Sequence, residues 1–537
     1  MNLQQGSSDR FLRIGWWVLF GLAVGVVVLI RIRLLEIPLE RDEGEYAYTG
    51  QLMLQGVPPY MLAYSMKFPG TAAAYALIML VFGQTTVAVH LGLLVLNMAT
   101  VALIFFLGRR LFDEVAGIAA GATYAILSVS PTVLGSAAHA SHFVVFAAVS
   151  GALLLLSALD RGSKMRLFLA GTAFGAAVLM KQPGVAFLFF GAIYLLFYDW
   201  KNRGGLRRTF LRLAIFLFGG SLPLLVTCFL LWRLQVFGKF WFWSIRYASL
   251  YGSTVSLPLG ARIFASKIGL VIGANWALWA IAEVGLFIGV WRARSALNHL
   301  FVVIFALFSA SAVCAGLYFR EHYFVLAFPA LALLVGMVAS HVMRLRQQRL
   351  SWVRVLFIIL FAVSIGLPLV ARHKFLFSAG PDLASRLIYG ANPFPESVPI
   401  ASFLRERTKP GDTIAVLGSE PQIYFYSHRR SATGYIYMYA LMEPQPFATQ
   451  MQREMIKEIE AAHPKYLVFV AVPASWLKES GSNDLIFNWL KDYSSREFEP
   501  TGLVNMVSPD RTDYYLPYKS EPVTPSRCRI AIYKRKL

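Results

Sequence analysis

The stretch RDEGEYAYTGQLMLQG crowds the carboxylates of Asp42, Glu43 and Glu45 together, directly after Arg41. A carboxylate there can act as general base on a hydroxyl. It can equally hold a divalent cation, Mg2+ or Mn2+, against a phosphate. The plain alternative is that acids open a helix because its dipole favours them. That accounts for one acid better than for three. Lys67, in MLAYSMKFPGTAAAY, can neutralise a phosphate as a point charge or merely snorkel at an interface. Arg320, Glu321 and His322 interrupt two apolar runs in YFREHYF. They read either as a phosphate clamp or as a solvated hairpin tip between the interface anchors Tyr318 and Tyr323. Lys181 and Gln182 form a similar tip, and His139 and His142 another. A histidine more often finds a hydrogen bond than a metal, and no acid sits beside this pair to complete a ligand set.

These residues are separated by long apolar stretches, which must position them. The chain has 537 residues, of which 57% are hydrophobic and only 15% charged. A soluble domain carries nearer a quarter charged residues, so this composition is that of a polytopic membrane protein. The net charge of +21 would suit nucleic acid, but the basic residues lie in short connectors: GRRLFDE, DRGSKMR, DWKNRGGLRR, WRAR and RLRQQRLSWVR. Basic connectors on one side of a bilayer follow the positive-inside rule, so no nucleic-acid partner is implied. Cys228, Cys314 and Cys528 are too dispersed for a disulfide framework or a zinc site.

About 20 apolar residues span a bilayer. Spans are expected near Ile14–Ile30, Thr85–Leu107, Val115–Leu134, Ser141–Leu159, Leu167–Met180, Gly184–Tyr198, Leu211–Leu231, Ile268–Trp291, Leu300–Leu317, Tyr323–Val342 and Val353–Val370. The run GTAAAYALIMLVFG is too short to cross and reads as a half-helix supported by protein. With the basic connectors in the cytoplasm, the N-terminus lies inside. Arg31 and Arg33 follow the first run without a small-residue cleavage site, so it reads as a signal anchor. Asp42, Lys67, His139, Lys181 and Arg320 then all fall on the outer face. The segment DEGEYAYTGQLMLQG reads as a short amphipathic helix at the interface. The aromatic loop Arg233–Ala261 reads as an interfacial helix or, more simply, as aromatic belt.

The expected organisation is a transmembrane body over 1–371, with an outer loop at 36–84, and an extracytoplasmic α/β domain over 372–537. In that last part a helix, a Pro-Gly-Asp turn and a buried strand at Thr413–Leu417 are followed by a helix in FATQMQREMIKEIEAAH and strands in KYLVFVAV and CRIAIYK. GSEPQ follows the first strand but matches no phosphate-binding loop, so no nucleotide site is expected.

RDEGEYAYTGQLMLQGVPPY with MKFPGTAAAY, LMKQPGVAFLFFG, REHYFVLAFPALALL and GDTIAVLGSEPQIYFYSHRR together resemble bacterial family 39-type glycosyltransferases. Those are similar to protein O-mannosyltransferases and to the aminoarabinose transferase that modifies lipid A. The resemblance implies a GT-C fold and a polyprenyl-phosphate-linked sugar donor used outside the membrane. It implies an acidic loop motif on Asp42 and Glu43 as the catalytic pair, Asp42 being base or acceptor-orienting group. It implies a donor-phosphate contact at Lys67, with Arg320 and His322 on a late outer loop contributing; Lys181 is a further candidate for that phosphate. Relatives often carry an acid at the outer end of the fourth helix, where this chain has Ser141, which weakens the case for a second carboxylate or a bound metal. The expected activity is transfer of a hexosyl or pentosyl group, with inversion, to a protein, lipid or glycan acceptor. The rival reading is a lipid or solute transporter or flippase. It would place ionisable groups at mid-membrane and show repeated broken helices; Glu283 is the one residue that favours it.

Overall fold

The apolar runs become helices, because only a helix satisfies its own backbone hydrogen bonds in hydrocarbon. The computed structural model of the chain describes residues 2–345, 351–508, 511–518 and 528–536. Part of the basic connector RLRQQRLSWVR lies outside the described residues. Among the described residues eight helices are long and apolar enough to cross a membrane, from Leu12–Arg33 to Trp352–Ala371, fewer than the eleven runs expected, and Gly70–Phe82, Glu114–Ser128 and Leu297–Val313 are shorter apolar helices. The chain is a multi-pass helical membrane protein.

Its contacts divide into two units that do not follow chain order. The first, here the membrane unit, takes Met1–Leu35, His90–Leu230 and Tyr251–Ser378. At its centre Glu321–Met343 is 89% buried over its apolar window and packs on Glu114–Ser128. Small residues make that close approach possible: a Cβ on Gly336 would lie 2.4 Å from the Ala116 carbonyl oxygen. Leu22, Phe210, Phe287 and Trp291 lie on the exposed outside of this unit.

The second, the sheet unit, takes Glu36–Val89, Leu231–Leu250 and Ala379–Leu537. Its strands are β1 (Thr413–Leu417), β2 (Arg430–Ser431), β3 (Tyr466–Ala471), β4 (Phe498–Ser508), β5 (Arg511–Tyr515) and β6 (Cys528–Arg535). They form one mixed sheet in the order β2-β1-β3-β6-β4-β5. β1 runs parallel to β2 and β3, whereas β6 is antiparallel to both β3 and β4. Residues 231–250 of the aromatic loop are only partly exposed: Trp232 and Trp241 face outward, whereas Trp243 and Tyr247 are buried in one apolar cluster with Tyr64, Tyr435 and Leu441. Burying a large ring against other rings is worth more than leaving it at an interface.

The helix foreseen after Pro38 forms as Arg41–Leu54. It is not amphipathic, however: Arg41, Glu43, Gly44 and every residue from Glu45 to Leu52 are buried. Helix Gly70–Phe82 packs along it, so protein rather than an interface covers its faces.

Candidate active site

Glu40 caps the Arg41–Leu54 helix. Its Oε1 accepts from the Glu43 amide at 2.9 Å, while Glu43 Oε2 accepts from the Glu40 amide at 3.2 Å. This reciprocal capping box satisfies two amides that the helix start leaves open. Glu43 is therefore committed to the cap and is 1% exposed. Burial, then the negative charges of Asp42 and Glu43, hold the Glu40 carboxyl well above the usual carboxylate range.

Asp42 and Glu45 lie three residues apart, on one face of the helix. Both face Lys67, whose ammonium is 2.8 Å from Asp42 Oδ1 and 2.6 Å from Glu45 Oε2. Tyr46 adds its ring 4.6 Å from the same nitrogen, and the Tyr437 hydroxyl donates to Asp42 Oδ1 at 3.3 Å. Lys67 is fixed by its own backbone as well. Its carbonyl accepts from Tyr60 at 2.8 Å and Ser244 at 3.2 Å, and its amide donates to Ser65 Oγ at 3.1 Å. Burial disfavours the ammonium, but Asp42 and Glu45 outweigh it and raise its pKa well above the ordinary lysine value. The lysine is charged at any physiological pH.

The two carboxylates are not equivalent. The Asp42 side chain is 17% exposed and that of Glu45 5%. Glu45 also accepts from Ser65 Oγ at 2.5 Å. The cavity beneath Lys67, lined by Glu45, Tyr46, Thr49, Tyr60 and Ser65, is only about 20 Å³, room for a water and not for a sugar. Of the two carboxylates, Asp42 is the more accessible to solvent.

Arg41 ties the same helix to the turn after β1. Its guanidinium donates to the Ser419 carbonyl at 2.6 Å, Tyr439 Oη at 2.8 Å, Asn392 Oδ1 at 3.1 Å and Glu420 Oε1 at 3.0 Å. Glu420 is fully buried and also accepts from Ser475 Oγ at 2.5 Å. Burial works against both charges. Glu420 more than restores Arg41, whose pKa lies above the ordinary arginine value, whereas Glu420 itself stays above the usual carboxylate value despite Arg41. Gly44 permits the fit, since a Cβ there would lie 2.7 Å from the Gln422 amide nitrogen.

The other candidates belong to the membrane unit. His322 stacks on His139, with ring centres 4.1 Å apart and planes 9° from parallel. Lys181 places its ammonium 3.8 Å from the Tyr323 ring centre. The exposed Arg320 lies 5.7 Å from the Tyr318 ring, and Glu321 pairs with Lys267 at 2.5 Å. The folded chain thus brings Lys181, His322 and His139 into one aromatic-lined group. His142 does not join His139: it is buried, and neither ring nitrogen has a hydrogen-bond partner among the described residues. Ser141 is likewise buried without a partner for its hydroxyl. Glu283 lies exposed on helix Trp276–Ala293.

Sequence reasoning left Tyr46, Tyr437 and the Arg41–Glu420 pair without a role. Tyr46, four residues after Asp42, was within reach of a helical-face argument. GSEPQ was the only sequence signal for Glu420, and nothing in it names Arg41, 379 residues earlier.

Residues 66–232 match the sequence pattern of the dolichyl-phosphate-mannose-protein mannosyltransferases. No curated protein sequence matches the chain. Among solved structures the fold is similar to ArnT of Cupriavidus metallidurans bound to undecaprenyl phosphate, with TM-score 0.58, 16% identity, and coverage of 97% of this chain and 98% of that one. It is also similar to the oligosaccharyltransferase of Archaeoglobus fulgidus in complex with Zn and sulfate, with TM-score 0.56, 15% identity, and coverage of 93% and 74%. The same archaeal enzyme, AglB, in complex with an inhibitory peptide and a dolichol-phosphate gives TM-score 0.54 at 14% identity, covering 95% and 75%. Shared along nearly the whole chain, this architecture of apolar helices and a sheet-bearing C-terminal region is the GT-C glycosyltransferase fold, and the chain is similar to the family 39-type proteins that its sequence resembles.

Proposed function

We propose that the chain is a membrane glycosyltransferase that takes a sugar from a polyprenyl-phosphate donor and passes it to an acceptor hydroxyl on the outer face. The observation that carries this reading is the Lys67 ammonium held between Asp42 and Glu45, within hydrogen-bond reach of both. The two solved relatives support it by what they bind, undecaprenyl phosphate and dolichol-phosphate. The orientation, N-terminus inside and the residues after Val370 outside, follows from the basic connectors.

In this reading Asp42, the more exposed carboxylate, takes the proton of the acceptor hydroxyl. The hydroxyl oxygen forms its bond to the anomeric carbon, and the bond from that carbon to the phosphate oxygen breaks. The electron pair leaves with the lipid phosphate, and one displacement inverts the centre. Lys67 stabilises the departing phosphate, a charge that grows in the transition state. A phosphate that draws Lys67 toward itself also uncovers Asp42 Oδ1, the atom that the lysine otherwise occupies, so donor binding frees the base to take a proton. Glu45 keeps the lysine anchored meanwhile. Glu43 contributes by capping the helix on which Asp42 stands. Lys181, Arg320 and His322, which belong to the membrane unit, are further candidates for a phosphate by their own charge and hydrogen-bonding chemistry.

A divalent cation does not fit the Asp42–Glu45 pair as it stands, because Lys67 already occupies the position between the two carboxylates. The sugar is a hexosyl or pentosyl group.

Transfer of radiolabel from polyprenyl-phosphate sugars in membranes tests the proposal. Loss of transfer in both Asp42→Asn and Lys67→Ala, at native expression, is the expected result. Unchanged transfer in both would return these residues to a structural ion pair. Solute or lipid movement in liposomes, without transfer from any donor, would replace an enzyme by a transporter.

A further inference from the structure

The basic residues at the ends of Thr86–Leu111 and Ala140–Arg161 do more than mark a membrane side. Phe106, Arg109 and Arg110 share one helix face at spacings of three and four. Leu153, Ser157, Asp160 and Arg161 share the facing one. Together they line an open groove of about 510 Å³, within the size range of ligand sites. Arg110 pairs with Asp160, which fixes that guanidinium. Arg166 donates to Ser157 Oγ at 2.5 Å and closes one flank. Arg109 and Arg161 have no ion-pair partner among the described residues. Three arginines against one aspartate leave the lining with two uncompensated positive charges. The apolar wall is exposed as well: Phe106 is 52% and the neighbouring Met165 66% accessible.

Helix dipoles and the positive-inside rule explain cations at these ends. Neither explains a concavity in which two unpaired guanidinium groups share a wall with the exposed ring of Phe106. We infer that this groove binds the headgroup of an anionic phospholipid, its phosphodiester on Arg109 and Arg161 and an acyl chain along Phe106 and Leu153. Basic pockets between transmembrane helices are suited to such headgroups. The inference does not depend on glycosyl transfer.

The test uses native mass spectrometry of the full chain from micelles holding equal phosphatidylglycerol and phosphatidylcholine with matched acyl chains. The expected result is one retained phosphatidylglycerol. Arg109→Gln with Arg161→Gln should weaken it roughly thirtyfold. Arg207→Gln with Arg208→Gln, on another basic connector, should leave it in place. All four arginines are exposed, and melting in phosphatidylcholine alone verifies that each variant is folded. Equal retention of phosphatidylcholine, or equal loss in the control variant, would reduce the groove to general surface attraction and overturn the site. Displacement by millimolar inorganic phosphate would make it a bare anion site and overturn the lipid assignment.

Discussion

Lys67 divides its charge between two carboxylates that differ in reach, and the difference gives each a separate expected phenotype. Glu45→Gln removes the buried anchor while leaving Asp42 as the remaining anion on the lysine. Lys67 then has Asp42 alone to pair with and occupies its Oδ1 more fully, so kcat should fall about tenfold with the donor KM little changed. Initial rates across donor concentrations read that split; a change confined to KM would mean that Glu45 acts only in binding. Glu40 makes a prediction of another kind. Its folded-state pKa is raised, so the stability it contributes is complete below its unfolded value, roughly 4.3, and is lost as pH rises through the folded value. Melting temperature should therefore decline across that window, and Glu40→Gln, which keeps an acceptor for the cap, should flatten the decline. An unchanged slope would place the pH dependence on other groups.

At the scale of elements, the Arg41–Leu54 helix is held at its first turn by a buried ion pair. Removing one partner of such a pair leaves an uncompensated charge and costs about 3–5 kcal/mol. Glu420→Gln should lower the melting temperature by that mechanism and reduce transfer through the displaced Asp42. Arg41→Met with Glu420→Leu should recover much of the stability but not the transfer. Recovery of both would show that the pair supplies stability alone. The sequence made some of these elements visible and hid others for physical reasons. TIAVL and YLVFVA lie inside the sheet, so they read as short apolar runs and form at the expected places. β4 carries Pro500 and Gly502 at a register shift, and β5, RTDYY, is a polar edge strand; neither shows an apolar period. The acid helix was legible by position. Its burial was not, since its charged and polar residues are covered by partners distant in sequence.

At the scale of the molecule, apolar run length located the membrane helices, because hydrocarbon thickness sets it directly, but eleven runs were expected to cross and eight helices among the described residues are long and apolar enough to do so. The sheet unit follows no such rule. It is assembled from 36–89, 231–250 and 379–537, and its apolar cluster needs Tyr64, Trp243 and Tyr247 as much as Tyr435 and Leu467. A fragment of residues 379–537 should therefore not fold as a soluble domain. It lacks those rings, and Glu420 would lose Arg41. Dispersed amide resonances from that fragment would contradict the expectation; aggregation or a collapsed spectrum would agree with it.

The Arg41–Glu420 contact also sets a timetable for biosynthesis. The two residues are 379 positions apart, and chains grow at about 5–20 residues per second. The acid helix therefore leaves the ribosome on the order of 20–75 s before its counter-charge exists. Asp42 and Glu45 meet Lys67 early, since it lies only 25 and 22 positions on, but Arg41 must stay solvated throughout that interval, so the last third of the chain decides when the first loop can complete its fold.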